Sequence, residues 1–323
     1  MQVASPARDR RPGAVRNPED GPVVTLLHIS DLHFGPMYHP EVGEAVQRFA
    51  ARLEPDVVVA SGDFTQRARE EQFREAREFL DRLPRVPRVV VPGNHDVPLY
   101  RWKERLFSPY TFYKKYISEE LDTVLRVPGA VIVALNSTAP LRAVVNGRIH
   151  QWQLDLAREA FEGTPPEVQR IVVAHHHFAP PPDWEGADVM PQAKRALDAF
   201  TAMRVDLILG GHLHRAYVGN SLDVYSGADR EHGITIVQSG TSTSRRGRAR
   251  EREKNSFNVV RLKGRTIEVT HYMYFDVADD FVPVSRHAFF RRGRPPLPDE
   301  EEFGAVPFIR EERRADGDLR LSS

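Results

Sequence analysis

The chain contains no cysteine and no excess of either charge. Without cysteine it can form neither disulfides nor thiolate metal sites. Lys+Arg and Asp+Glu both number 45 among 323 residues, which argues against the basic surface of a nucleic-acid-binding protein. No apolar run approaches the ~20 residues that a membrane helix needs. Residues 1–21 are rich in Arg, Pro and Asp and have no apolar segment. They are expected to be a disordered tail rather than a secretory signal, and the protein to be cytoplasmic with no membrane partner. What the chain does have is enough for a core: 41% of it is hydrophobic and 28% charged.

The apolar residues follow a rhythm. Runs at 23–30, 56–60, 88–91, 130–135, 171–174 and 205–209 read as buried strands. Between them lie helical spacings, such as Val42, Ala45, Val46, Phe49 and Leu53, or Phe73, Ala76, Phe79 and Leu80. Strand alternating with helix predicts an α/β domain with parallel sheet segments. Residues 97–121 interrupt the pattern with Trp102, Phe107, Tyr110, Phe112, Tyr113 and Tyr116. This aromatic-rich helical insertion reads better as a small core of its own than as a lid that stacks on a substrate base. After 233 the pattern changes to antiparallel strands, at 233–238, 256–262 and 266–275. The arginine-rich run at 245–254 is interleaved with Glu and reads as a solvated loop rather than a polyanion contact. The catalytic domain is expected over 22–283, and 284–323 as a mostly irregular charged tail. No internal repeat is visible.

Polar residues collect where the strands stop. Asp31 and His33 follow the first, Asp63 the second, and Asn94, His95 and Asp96 the third. His175-His176-His177 ends another strand, and His212 and His214 the next. Each fragment alone could be an ordinary turn. In open α/β sheets, however, the carboxyl edge is where sites are built, and chance would not gather them all there. The two-residue spacing of Asp31 and His33 would put both side chains on one side of an extended backbone. Oxygen and nitrogen donors without sulfur select hard to borderline ions such as Mn, Fe or Zn. The donors are too many for one tetrahedral ion but suffice for two if one carboxylate bridges.

Asp31-Leu32-His33, Gly62-Asp63, Gly93-Asn94-His95-Asp96, His175 and Gly211-His212-Leu213-His214 resemble, in order, the blocks of the calcineurin-like metallophosphoesterase superfamily. The resemblance spans roughly residues 23–275. The histidine run and the segment Gly240-Thr241-Ser242-Thr243-Ser244 look most like the bacterial class III cyclic-nucleotide phosphodiesterase branch. The resemblance implies a four-layer α/β/β/α sandwich of two mixed sheets. It implies one divalent or mixed-valence metal ion on Asp31, His33, Asp63 and His214, and a second on Asp63, Asn94, His175 and His212. His176 is the alternative to His175. His95 would face the phosphate, with Asp96 fixing its tautomer. His177-Phe178 departs from the branch's His-His-Pro-Pro pattern, which bears on the substrate pocket more than on the metals.

The implied chemistry is hydrolysis of a small-molecule phosphodiester by attack of a metal-bridging hydroxide, with His95 assisting the leaving alkoxide. Other phosphodiesters and phosphomonoesters stay open as substrates, because one fold serves many. A non-catalytic scaffold is the rival class, but it would have lost ligand positions, and here each one is filled. Homodimerisation is left open.

Overall fold

The computed structural model describes residues 23–141, 146–181, 189–224, 233–248, 251–264 and 266–290. The expected N-terminal tail at 1–21 and the charged segment beyond 290 lie outside the described residues.

In chain order the elements are β1 (Val24–Ile29), α1 (Pro40–Leu53), β2 (Val57–Ala60), α2 (Glu70–Arg82) and β3 (Arg88–Val90). A 3₁₀ turn at Asn94–Asp96 leads to α3 (Trp102–Phe107) and α4 (Thr111–Tyr116). Then follow β4 (Thr123–Val127), β5 (Ala130–Ala134), α5 (Gln151–Phe161), β6 (Gln169–Val173), α6 (Ala193–Ala202), β7 (Leu207–Gly210), β8 (Tyr217–Asn220) and α7 (Ser221–Val224). The last strands are β9 (Thr235–Gln238), β10 (Ser256–Lys263), β11 (Thr266–Phe275) and β12 (Asp280–Phe290).

They form two six-stranded sheets, ordered β12-β11-β10-β1-β2-β3 and β4-β5-β6-β7-β9-β8. Both are mixed. β1, β2 and β3 run parallel, as do β5, β6, β7 and β9, with antiparallel strands completing each sheet.

The continuous apolar runs exist because both faces of these strands are covered. In β2, Val57 and Val59 face the second sheet, while Val58 and Ala60 face the helices. β6 divides likewise, with Ile171 and Val173 between the sheets and Val172 on the helical side. Three apolar layers result: α1, α2 and α4 against the first sheet, the sheets against each other, and α5 and α6 against the second. This is the four-layer α/β/β/α sandwich expected from the resemblance. The helices carry their own signals: α1 opens with Pro40 in its first turn and stops at Glu54 in a left-handed conformation.

In the aromatic stretch, Tyr110, Phe112, Tyr113 and Tyr116 pack into the first core layer, with Tyr113 fully buried. Trp102 and Phe107 are exposed. The expected domain end at 283 falls inside β12, which pairs with β11 as far as Phe290. Pro283 and the charged residues around it disguise this strand. It lies at the sheet edge, where a proline needs no ladder donor, and the register shifts beside it at His271/Tyr272.

Candidate metal centre

The carboxyl ends of β1, β2 and β3 meet those of β6 and β7. Asp31 Oδ1, His33 Nε2, Asp63 Oδ2 and His214 Nε2 form one group: the donor atoms of these four residues all lie within 4.8 Å of one another, and all four residues are buried. His33 Nε2 is 3.7 Å from both Asp31 Oδ1 and Asp63 Oδ2, and His214 Nε2 is 3.2 Å from Asp31 Oδ1. The second group shares Asp63. His175 Nε2 is 3.5 Å from Asp63 Oδ2 and 3.2 Å from Asn94 Oδ1, and His212 Nδ1 is 2.9 Å from the same amide oxygen.

The chain reaches this geometry through twisted strand ends. Asp31, His33, Asp63, His212 and His214 all have positive φ, between 51° and 76°. The pairs two residues apart are therefore not extended, as the sequence spacing suggested. Asp and His tolerate the left-handed region better than bulky or branched residues, and such conformations gather at functional sites. Neighbouring loops hold the turns: the Asp31 amide donates to Gly62 O (3.0 Å) and the His33 amide to Asp63 O (2.9 Å). The His212 amide donates to Asp31 Oδ2 (3.0 Å), tying the two sheets together. Gly93 is required by proximity, since a Cβ there would sit 2.2 Å from Asp63 Oδ1.

The imidazoles are oriented by the groups behind them. His214 Nδ1 donates to Arg246 O (3.1 Å) and His175 Nδ1 to Ser61 O (2.8 Å), which turns both Nε2 atoms inward. Burial holds the His33 ring down to about 4, and burial with the neighbouring imidazoles holds His212 well below its ordinary value. Both rings are thus neutral and ligand-competent. Burial opposes a proton on His175 too, but the Asp63 carboxylate outweighs it and raises the ring to about 9. Burial opposes charge on Asp31, yet His214 and His33 keep it ionised.

These residues fit a cation. Asp31 Oδ1 and Asp63 Oδ2 are buried without a hydrogen-bond donor in good geometry, and the Nε2 atoms of His33 and His214 face each other at 3.0 Å. Buried carboxylate oxygens facing imidazole lone pairs are costly unless a positive charge lies between them. The two overlapping groups, joined by Asp63, match a dinuclear divalent site.

All seven residues expected as ligands are brought together. Of the tandem histidines it is His175 that faces Asp63 and Asn94; His176 Nδ1 turns to Ser137 Oγ at 2.8 Å. His95 lies beside the cluster, its ring 4.9 Å from that of His33.

The expected role of Asp96 is corrected. The tautomer of His95 is set by Gln66 O, 2.9 Å from Nδ1. The Asp96 carboxylate instead accepts from the amides of Phe64 (3.1 Å), Thr65 (2.8 Å) and Gly93 (2.9 Å). It braces the loop because its side chain points back under the turn, away from the His95 ring. Burial and the nearby Asp63 charge push its carboxyl upward, and the three amides oppose them.

A cavity of about 730 Å³ opens beside the centre, bounded by Asn94, His95, Arg67, Tyr100, Arg101 and Arg246 among others. Sequence reasoning passed over Arg246 and Gln66. Arg246 sits in a run that reads as a solvated surface, and a backbone carbonyl such as Gln66 O leaves no trace in residue type.

Comparison with known proteins agrees with this geometry. A family model described as calcineurin-like phosphoesterase matches residues 24–216. The 3′,5′-cyclic adenosine monophosphate phosphodiesterase CpdA of Haemophilus influenzae is 29% identical over 211 residues, 60% of this chain and 71% of the relative. The glycerophosphodiester phosphodiesterase GpdQ of Enterobacter lignolyticus is 38% identical over 81 residues, 22% of this chain and 29% of that relative's length. The purple acid phosphatase PPD1 of yellow lupin superposes with a TM-score of 0.63 at 12% identity, covering 85% of this chain and 55% of its own, a likeness of fold alone. No helix among the described residues is long and apolar enough to cross a membrane.

Proposed function

This chain belongs to the calcineurin-like phosphoesterase family, is a metal-dependent phosphoester hydrolase, and from that premise we propose that it cleaves small phosphodiesters of the cyclic-nucleotide type. The observation that carries the reading is the buried Asp31, His33, Asp63 and His214 cluster, in which Asp31 Oδ1 and Asp63 Oδ2 accept no hydrogen bond in good geometry. CpdA's name supports a cyclic-nucleotide substrate, and GpdQ's a glycerophosphodiester; phosphomonoesters are the third option.

In this proposal Asp31, His33, Asp63 and His214 hold one cation, and Asp63, Asn94, His175 and His212 the other. The donor set, oxygen and nitrogen without sulfur, suits Mn, Fe or Zn. When bound, the two cations supply Lewis acidity, neutralising phosphoryl charge and making hydroxide available near neutral pH.

The chain's own residues do the rest. The carboxylates and imidazoles would fix where the cations lie, and through them the phosphoryl group, because their donor atoms are held by the loop hydrogen bonds described above. His95 keeps its Nδ1 proton on Gln66 O, so Nε2 faces the cavity. With both nitrogens protonated, the ring can hand the Nε2 proton to the departing alkoxide or stabilise its charge, while the Nδ1 proton stays on Gln66 O. Asp96 holds the loop that carries His95.

The test is a substrate panel with added Mn, comparing kcat/KM for cyclic nucleotides, linear diesters and monoesters. Elemental analysis of the untagged protein accompanies it. About two metals per chain and the highest kcat/KM on a cyclic nucleotide are expected. No metal after reconstitution would leave only a scaffold, and a monoester preference would overturn the diester assignment.

A further inference from the structure

The cavity beside His95 holds more positive charge than its own carboxylates neutralise. Arg67, Arg69, Arg101 and Arg246 line it, together with Glu70, Glu71 and Glu104. All three carboxylates are already engaged. Glu71 lies 3.7 Å from Arg69, Glu104 2.7 Å from Arg101, and Glu70 2.6 Å from Lys115. Arg67 and Arg246 remain, with no ion pair to any described residue.

Their settings differ. Arg246 is half-buried beside Asn94 and His95, and its backbone carbonyl already holds His214. Burial lowers its guanidinium from the usual arginine range, as do the charges of Arg248 and Arg67, while Asp63 and Asp31 oppose the shift. Arg67 stands at the rim with its guanidinium 5.2 Å above the ring of Tyr100. The ring fixes it without neutralising it. A guanidinium is a rigid, permanently charged fork suited to two phosphate oxygens, and a partly desolvated one gains most from such a partner.

Resting on the phosphoesterase reading, we propose that Arg246 and Arg67 form an anion subsite beside the metal centre, for a second phosphate on the substrate besides the one that is cleaved. The cations answer the charge of the scissile phosphoryl group. The two arginines lie outside the donor cluster, in the cavity wall that also holds His95 and Tyr100. A cyclic mononucleotide can be cleaved while leaving them unfilled; a nucleotide diester that carries a further phosphate fills them as well.

The experiment uses two esters with the same leaving group, thymidine 5′-(p-nitrophenyl phosphate) and its 3′-phosphorylated counterpart, on the full chain with added Mn. The wild type should favour the 3′-phosphorylated ester by roughly tenfold or more in kcat/KM, the range of a charge-assisted contact. The preference should fall to about one in Arg246→Met and shrink in Arg67→Met, with equal metal content and thermal midpoints. A wild-type ratio near one, or a ratio that survives Arg246→Met, overturns the subsite. Calorimetric titration with thymidine 3′,5′-bisphosphate against thymidine 5′-monophosphate separates this from the underlying reading. If neither ester is cleaved, the phosphodiesterase reading fails. A bisphosphate preference lost in Arg246→Met would still uphold the subsite, and equal binding of the two nucleotides would reject it.

Discussion

The two halves of the donor cluster differ in charge and in access. Asp31, His33, Asp63 and His214 are wholly enclosed and include two carboxylates. Asn94, His175 and His212 add no further carboxylate to the shared Asp63, and Asn94 lines the open cavity. On the proposed ligand assignment, a cation in the enclosed half would meet more negative charge at lower dielectric and would be held more tightly. On the same assignment the half that opens on the cavity would exchange its cation more readily and would be the side on which a substrate enters. Enclosure favours retention, and openness favours turnover.

Four experiments would break or sharpen that contrast. The largest effect is expected for Asp63→Ala, which removes the only side chain common to both halves. Metal content should fall to near zero, and hydrolysis of bis-p-nitrophenyl phosphate to background. Wild-type rates in this variant would end the shared-ligand assignment. His95→Ala should keep both metals and slow turnover by about 10²–10⁴-fold, most for poor leaving groups. Loss of metal there would mean that His95 is a ligand after all. Asn94→Ala touches only the open half, so elemental analysis should find about one metal per chain; loss of both would erase the distinction between the halves.

The smallest effect concerns His28, which lies behind the enclosed half with Nε2 2.9 Å from Ser61 Oγ. Burial lowers its ring to about 3 from the ordinary value of 6.5. Between those values the unfolded chain binds a proton that the folded chain does not, so stability is lost as pH falls through the window. Metal-free protein should lose about 2 kcal/mol between about pH 6.5 and pH 5 from this one ring. Urea titrations of wild type and His28→Gln would measure it, and identical pH slopes would reject it.

The positions of the donors were legible because each follows an apolar run, and a strand buried on both faces must surface where its polar residues begin. Asp31, Asp63, His175 and His212 are found this way. The left-handed backbone at the ligands was not legible, since it depends on carbonyls of a neighbouring loop, such as Gly62 O and Asp63 O, far away in the chain. Nor was the partner of His95, because residue type suggests a carboxylate next door while the structure uses the carbonyl of Gln66. β12 was missed because Pro283 is penalised by local propensity, and only its edge position in the sheet excuses it. Arg246 was missed because a surface run hides the one member whose neighbours are a cavity wall.

The bond from the His212 amide to Asp31 Oδ2 joins residues 181 positions apart. A nascent chain therefore exposes its first acid long before its last imidazole leaves the ribosome. Until both sheets have been made and joined, the acids lack the imidazoles that complete the cage. On the proposed ligand assignment, ions would be acquired late in biogenesis, after both sheets are in place.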